Sequence, residues 1–144
     1  MEKQPQFPFA PKDFARCLNA TCPRSQNCLR RTAALQDTDE HLFLKVVNPL
    51  RYPKEGEECE LFRSTDKVRM AWGVTHLLDN VPYKEGSLLR NMIINHLGIS
   101  QYYRCFRKER PFSPQDQQTI RLLFRQRGIS EEPSFDYYTN EFNW

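Results

Sequence analysis

"STDKVRMAWGVTHLLDNV" (Ser64–Val81) decides the fold class. Val68, Ala71, Trp72, Thr75 and Leu78 recur at the spacing of one helix face, and Pro82 follows as a stop. Read this way, the stretch opens a run of helices that lasts to Gly128. "SLLRNMIINHLG" (Ser87–Gly98) has Ser87 as its cap, Leu89, Ile93, His96 and Leu97 on its inner face, and Gly98 as a left-handed stop. Ser100 can cap "QYYRCFRKER" (Gln101–Arg110), which Pro111 ends. "FSPQDQQTIRLLFRQRG" (Phe112–Gly128) carries Ser113 as cap, Pro114 at the first helical position and Asp116 to complete a capping box. Ile120, Leu123, Phe124 and Arg127 share one of its faces.

The N-terminal half is less regular. Pro5, Pro8 and Pro11, with Phe7 and Phe9 between them, describe an extended arm whose phenylalanines dock on the body. "CLRRTAALQ" (Cys28–Gln36) reads as a short helix with Leu29, Ala33 and Leu35 as its apolar stripe and Arg30 and Arg31 outside it. "HLFLKVV" (His41–Val47) is rich in β-formers and reads as a strand ended by Asn48-Pro49. The expected fold is therefore mainly α, with a small cysteine-rich, partly β N-terminal region. The boundaries fall at 1–63 for that region and its arm, 64–128 for the helical domain, and 129–144 for an acidic aromatic tail.

The cysteines give the sharpest chemical signal. "CLNATCPRSQNCLRR" (Cys17–Arg31) spaces Cys17, Cys22 and Cys28 as C-x4-C-x5-C, and Cys59 follows the turn "YPKEGEE". Four thiolates satisfy the tetrahedral preference of structural zinc. Cys28 would sit where the helix amide dipoles favour a thiolate. Arg16, Arg24, Arg30 and Arg31 would offset the negative charge of such a site. An Fe–S cluster takes the same four ligands, although the spacing differs from the ferredoxin patterns. Buried core cysteines without metal are the third reading. Cys105, between Arg104 and Phe106, reads as a core residue, and His41, His76 and His96 lie in no Cys–His motif.

Bulk properties are ordinary. The 144 residues are 39% hydrophobic, 27% charged and 12% aromatic, with a net charge of +3. No apolar run has the length of a membrane span, so no membrane is expected as partner. The N-terminus lacks a continuous apolar stretch of the secretory type, which points to the cytoplasm. An odd count of five cysteines in that reducing setting disfavours a disulfide framework.

Charge is unevenly distributed. Residues 87–128 hold Arg90, Arg104, Arg107, Lys108, Arg110, Arg121, Arg125 and Arg127 against Glu109 and Asp116, a net of +6. The tail holds Glu131, Glu132, Asp136 and Glu141 and no base, a net of −4. Within the basic stretch, "LRNMIINHLGISQYYRCFRKERP" (Leu89–Pro111) resembles the helix-turn-helix of bacterial and phage repressor-like DNA-binding domains. "FSPQDQQTIRLLFRQRGI" (Phe112–Ile129) resembles the support helix that follows it. The resemblance implies a second helix in the major groove of double-stranded DNA. Gln101, Tyr102 and Arg104 would then meet base edges, and Arg107, Lys108 and Arg110 would meet phosphates. The sequence departs from that pattern at Arg104, where an apolar residue is expected, and at Ile94, where a small one is. Tyr103 and Phe106 could supply the inner face of a rotated second helix. The chain as a whole resembles small uncharacterised bacterial proteins with a cysteine-rich N-terminus and a helical C-terminus, a likeness that implies no activity.

Function follows from these parts. The expected protein is a small metal-stabilised nucleic-acid-binding protein, a DNA-binding regulator. The alternative is a protein-interaction module that uses Phe135, Tyr137, Tyr138, Phe142 and Trp144 of the tail as anchors, either on a partner or on its own basic helices. An enzyme is not expected: there is no phosphate-cradling glycine loop and no nucleophile elbow, and Asp37, Asp39 and Glu40 read as a solvated turn.

Overall fold

The computed structural model describes residues 8–37 and 40–144. Pro5 and Phe7 of the expected arm, and Asp39 of the expected turn, lie outside them. The chain divides into two compact units, one running to Asp66 and including Phe142–Trp144, the other spanning Lys67–Glu141. The sequence reading placed the first boundary at 63/64 and made 129–144 a separate tail. In the structure most of that tail belongs to the second unit and its last three residues to the first.

The first unit is built around α1, Leu29–Asp37. Leu29 and Ala33 are fully buried, one turn apart, against Ala10 and Phe14. Leu35, expected on the same stripe, stands exposed. The arm is held by Gln36, whose side-chain nitrogen donates to the Pro8 carbonyl at 2.9 Å and whose oxygen accepts the Ala10 amide at 3.2 Å. Phe9 does not dock, however, and stands 71% exposed. The expected strand 41–47 is also absent. Its only ladder contact among the described residues is a parallel bridge between Val46 and Arg16, with Arg16 N–H to Lys45 O at 2.9 Å and Val47 N–H to Arg16 O at 2.8 Å. β-forming side chains do not make a strand without a partner along its length. Leu42 and Phe43 are left 96% and 93% exposed. Asn48-Pro49 does end the segment: the Asn48 side chain accepts the Leu50 amide and starts a 3-10 turn, Pro49–Arg51.

The second unit overturns the reading of Ser64–Val81 as a helix. Residues Val68–Trp72 form β1, paired antiparallel with β2, Tyr137–Glu141, in the register Val68↔Glu141 to Trp72↔Tyr137. The Trp72 indole N–H donates to Thr139 Oγ1 at 2.7 Å, and its ring stacks on Tyr137 with centroids 5.9 Å apart. Arg69 lies over the Tyr138 ring at 3.7 Å. Gly73 then takes φ +79°, which ends any regular run. The helical spacing of Val68 to Leu78 was a coincidence of composition, because the partner that makes the segment a strand lies some seventy residues away.

Three helices complete the unit. α2, Tyr83–Leu97, starts after Pro82, so this proline opens a helix and Ser87 lies within it. Leu89 and Ile93 are buried as expected, whereas His96 is exposed, its Nε2 3.5 Å from Asp116. α3, Ile99–Phe106, follows directly with only Gly98 between, so Gly98 rather than Ser100 occupies the cap position. α4, Pro114–Gln126, has the expected capping box: Ser113 Oγ accepts the Asp116 amide at 3.1 Å and Asp116 accepts the Ser113 amide at 3.2 Å. The described residues thus form four α-helices and a two-stranded antiparallel sheet, a mixed α and β fold rather than a mainly α one.

Strand and helices meet around Asp136. Its amide donates to the Trp72 carbonyl at 2.9 Å, and its carboxylate accepts from Thr75 Oγ1 at 2.7 Å and pairs with Lys108 Nζ at 3.3 Å. The other carboxylate oxygen is buried with no partner among the described residues. Lys108 reaches the pair from a left-handed backbone, φ 60°. Burial pushes the Asp136 carboxyl up, but the Thr75 and Lys108 contacts outweigh it and hold the group below the ordinary carboxylate value. A depressed folded pKa means that this contribution to stability is present above the unfolded value near pH ~4. It is lost as pH falls through the folded value.

Two measurements test this junction. A Cβ at Gly73 would overlap the Asp136 carboxylate, while one at Gly128, also at positive φ (+76°), would meet open space. In urea melts, Gly73→Ala should cost roughly 2–4 kcal/mol and Gly128→Ala about 1 kcal/mol. Asp136→Asn should flatten the acid limb of the stability-versus-pH curve below about pH 4.

Candidate metal centre and the basic helices

Cys17, Cys22, Cys28 and Cys59 all line one cavity of about 30 Å³ in the first unit. Backbone hydrogen bonds put each there. The Cys17 amide donates to the Arg30 carbonyl at 3.0 Å. The Cys22 carbonyl accepts the Ser25 amide at 3.1 Å, at the entry to the 3-10 turn Ser25–Asn27. Cys28 stands at the start of α1, its carbonyl accepting the Thr32 amide at 3.0 Å. It also bridges to Ser64, flanked by Leu29 N–H to Arg63 O at 2.7 Å and Thr65 N–H to Asn27 O at 3.1 Å. That bridge carries the preceding loop, and with it Cys59, back to the other three. The Cys59 carbonyl accepts the Phe62 amide at 3.2 Å.

All five cysteines are free thiols; Cys28 and Cys105 are buried and the other three half-buried. Among the described residues, no three Cys, His, Asp or Glu side chains already stand close enough to hold a metal ion. The cavity is a thiol-lined pocket whose walls an ion would have to draw together. Its lining includes no histidine.

The wall is rich in arginine. Arg24 lies 3.5 Å over the Phe62 ring, Arg31 donates to the Cys17 carbonyl at 3.4 Å, and Arg51 pairs loosely with Glu60 at 4.0 Å. Arg30 is the hub. Its Nε donates to Leu61 O at 2.7 Å, one terminal nitrogen donates to Ala15 O at 3.0 Å, and the guanidinium lies 4.8 Å over the Phe14 ring. Burial, then the nearby Arg63 charge, holds its pKa below the ordinary guanidinium value, while Cys28, Cys59 and Cys17 oppose that shift. The sequence marks Arg30 as one of four arginines near the cysteines; its contact with the Leu61 carbonyl and its proximity to Arg63 are long-range and have no local pattern.

The basic stretch is largely neutralised within its own unit. Arg107 pairs with Glu109 at 2.8 Å, Lys108 with Asp136 at 3.3 Å, and Arg110 with Asp116 at 3.7 Å. Arg121 and Arg125 share Glu132, and Arg127 pairs with Glu85 at 2.6 Å. Arg90 and Arg104 instead donate to the Tyr103 hydroxyl and the Gln101 side chain, at 3.4 and 3.5 Å. Gln101 is half-buried, and its side-chain oxygen also accepts from Arg110 at 3.4 Å.

Tyr102 does not face outward: it is 6% exposed, and burial pushes its hydroxyl pKa up. Tyr102 and Cys105, three residues apart, form the inner face of α3, whereas Phe106 is 56% exposed. The single-residue joint at Gly98 sets this orientation, where a helix-turn-helix uses a turn of about three or four residues. The tail is likewise absorbed into the fold. Phe135 is buried against Phe112 with centroids 5.1 Å apart, and Tyr137 and Tyr138 lie in β2.

A model of a family of unknown function (DUF6078) matches residues 1–144, and the chain belongs to that family. No curated protein and no solved structure matches it.

The two cysteine environments predict distinct reactivities. Burial raises the Cys105 thiol pKa, so its thiolate is scarce as well as shielded. With a chelator present, iodoacetamide at neutral pH should label Cys17, Cys22 and Cys59 first, and Cys105 only when the second unit unfolds. Mass-spectrometric peptide mapping reads the order.

Proposed function

We propose that this member of the family acts by binding rather than catalysis, with one zinc ion held by Cys17, Cys22, Cys28 and Cys59 fixing an N-terminal unit that presents an apolar loop to a protein partner. The observation that carries this reading is the convergence of those four cysteines, from two separate stretches of chain, on one cavity. When bound, zinc supplies cross-linking without redox chemistry.

Cysteine spacing favours a single ion over an iron–sulfur cluster, because C-x4-C-x5-C differs from the ferredoxin patterns. The need for a staple is physical: among the described residues, the unit's connected buried core is Ala10, Phe14, Leu29 and Ala33, two of them alanines. Units of this size with so little interior are held by disulfides, metals or partners. Structural zinc contributes roughly 10–16 kcal/mol in comparable small modules.

The apolar loop supports the partner. Leu42, Phe43 and Leu50 are each more than 90% exposed and sit in the same unit as the cysteine cavity. Exposed large apolar side chains gathered in one segment mark interaction sites. Nucleic-acid binding receives less support, because six of the eight basic side chains counted on for it already face carboxylates.

Elemental analysis tests the metal. One zinc per chain is expected, lost on Cys→Ser substitution at positions 17, 22, 28 or 59 and retained in Cys105→Ser. Iron with visible colour, or no metal in any preparation, would overturn the assignment. For nucleic acid, Glu132→Gln frees Arg121 and Arg125 without touching the core. Duplex-DNA titrations at two salt concentrations should show no gain in affinity over the unaltered chain; a gain that fades with salt would restore the DNA reading.

A further inference from the structure

We propose that metal binding at the cysteine cavity governs the docking of the chain's C-terminal end, so that Phe142–Trp144 is held on the N-terminal unit when the site is filled and released when it is emptied. This rests on the zinc reading above and names what the site regulates.

The docking surface is α1 itself. Phe142 and Trp144 pack against the cluster of Ala10, Phe14, Leu29 and Ala33. Trp144 meets Phe14 edge-on at 5.3 Å and Phe142 at 5.9 Å. Between the two aromatics, the Asn143 carbonyl accepts from an Arg63 terminal nitrogen at 3.2 Å.

Each of these supports traces back to the cysteines by a short path. Leu29 is the residue after Cys28, and its amide is bonded to the Arg63 carbonyl. Arg63, whose side chain holds Asn143, lies four residues beyond Cys59. Phe14 lies three residues before Cys17 and carries on its face the Arg30 guanidinium, which also grips the Ala15 and Leu61 carbonyls.

Emptying the site removes the tie among residues 17–28 and 59. With that tie gone, the nine-residue α1, too short to persist in water without tertiary packing, is left to its small core and to hydrogen bonds such as those of Leu29 and Arg30. The surface that Trp144 occupies is made by that helix, so the aromatic end loses its seat. The chain passes between the two units twice, at 66/67 and at 141/142. Release of Phe142–Trp144 removes the second attachment and leaves β2 ending in a free aromatic segment. The second unit keeps its own larger core, which includes Leu89, Ile93, Phe112 and Ile120.

The two tryptophans report the two units separately. Full-length protein labelled with 5-fluorotryptophan should give two fluorine resonances, assigned with Trp144→Phe. Chelation and re-addition of zinc chloride are followed by NMR, with zinc content measured on the same samples. As zinc leaves, the Trp144 resonance should move to its position in the urea-unfolded chain and the Trp72 resonance should stay, and re-added zinc should return the Trp144 resonance to its starting position. Zinc removed with Trp144 unmoved sinks the coupling and leaves the metal site standing. Both resonances moving together also sinks it, because the whole chain would then be responding. Protein that never binds zinc removes the metal reading and this inference with it.

Discussion

Leu29 and Ala33 lie one turn apart on a nine-residue helix, and the N-terminal unit closes on that pair with little more than Ala10 and Phe14. Two alanines, a leucine and a phenylalanine remove little apolar surface from water, at about 25 cal/mol per Å². Ordering each residue costs about 1–2 kcal/mol of backbone entropy alone. The unit therefore needs tethers that do not depend on area. It has three kinds: the arginine-to-carbonyl contacts of Arg16 and Arg30, the aromatic end brought by Phe142 and Trp144, and four cysteines around one cavity. A metal drawing those cysteines together would fix both flanks of α1 at once.

The second unit meets the opposite condition. Its interior is ample, and its surface charge is balanced locally. Most of the arginines and the lysine that make residues 87–128 so basic are paired with carboxylates from Glu85, Glu109, Asp116, Glu132 and Asp136. The exposed ones among them, Arg107–Glu109 and the two pairs of Glu132, contribute little to stability. Their larger effect is on the field that a polyanion would meet. The separation of +6 and −4 along the sequence is reduced in space, because Glu132 and Asp136 of the acidic segment pair with Arg121, Arg125 and Lys108, and Glu85 pairs with Arg127.

What was legible in the sequence was what short-range rules govern. The Ser113–Pro114–Asp116 capping box, the helix over Leu29–Gln36 and the buried Leu89 and Ile93 all follow from residues within a turn or two. The failures share one cause. β1 is a strand because Tyr137–Glu141 pairs with it, and His41–Val47 is not a strand because nothing pairs along it; neither partner relation has a local signature. Tyr102 turned inward because a single glycine joins α2 to α3, which changes the phase of the second helix. The cysteines were singled out by their crowding, but Cys59 belongs with the others through the Cys28–Ser64 bridge, and Arg30 acquires its position only when that bridge forms.

The arginines around the cavity bear on which chemistry it can hold. Four thiolates and a divalent ion leave two net negative charges. Arg24, Arg30, Arg31 and Arg51 line the same cavity, but several of their donors and faces are already engaged, by the Phe62 ring, the carbonyls of Ala15, Cys17 and Leu61, and Glu60. Guanidinium remains charged throughout the physiological range and holds a rigid geometry. With those contacts made, it contributes positive field at the sulfurs while competing less for their lone pairs. Lysine, a flexible point charge with three strong donors, would compete more. Such a field would offset the two net negative charges that four thiolates around a divalent ion carry. The arginine content of the opening stretch and its cysteine content are thus parts of one arrangement.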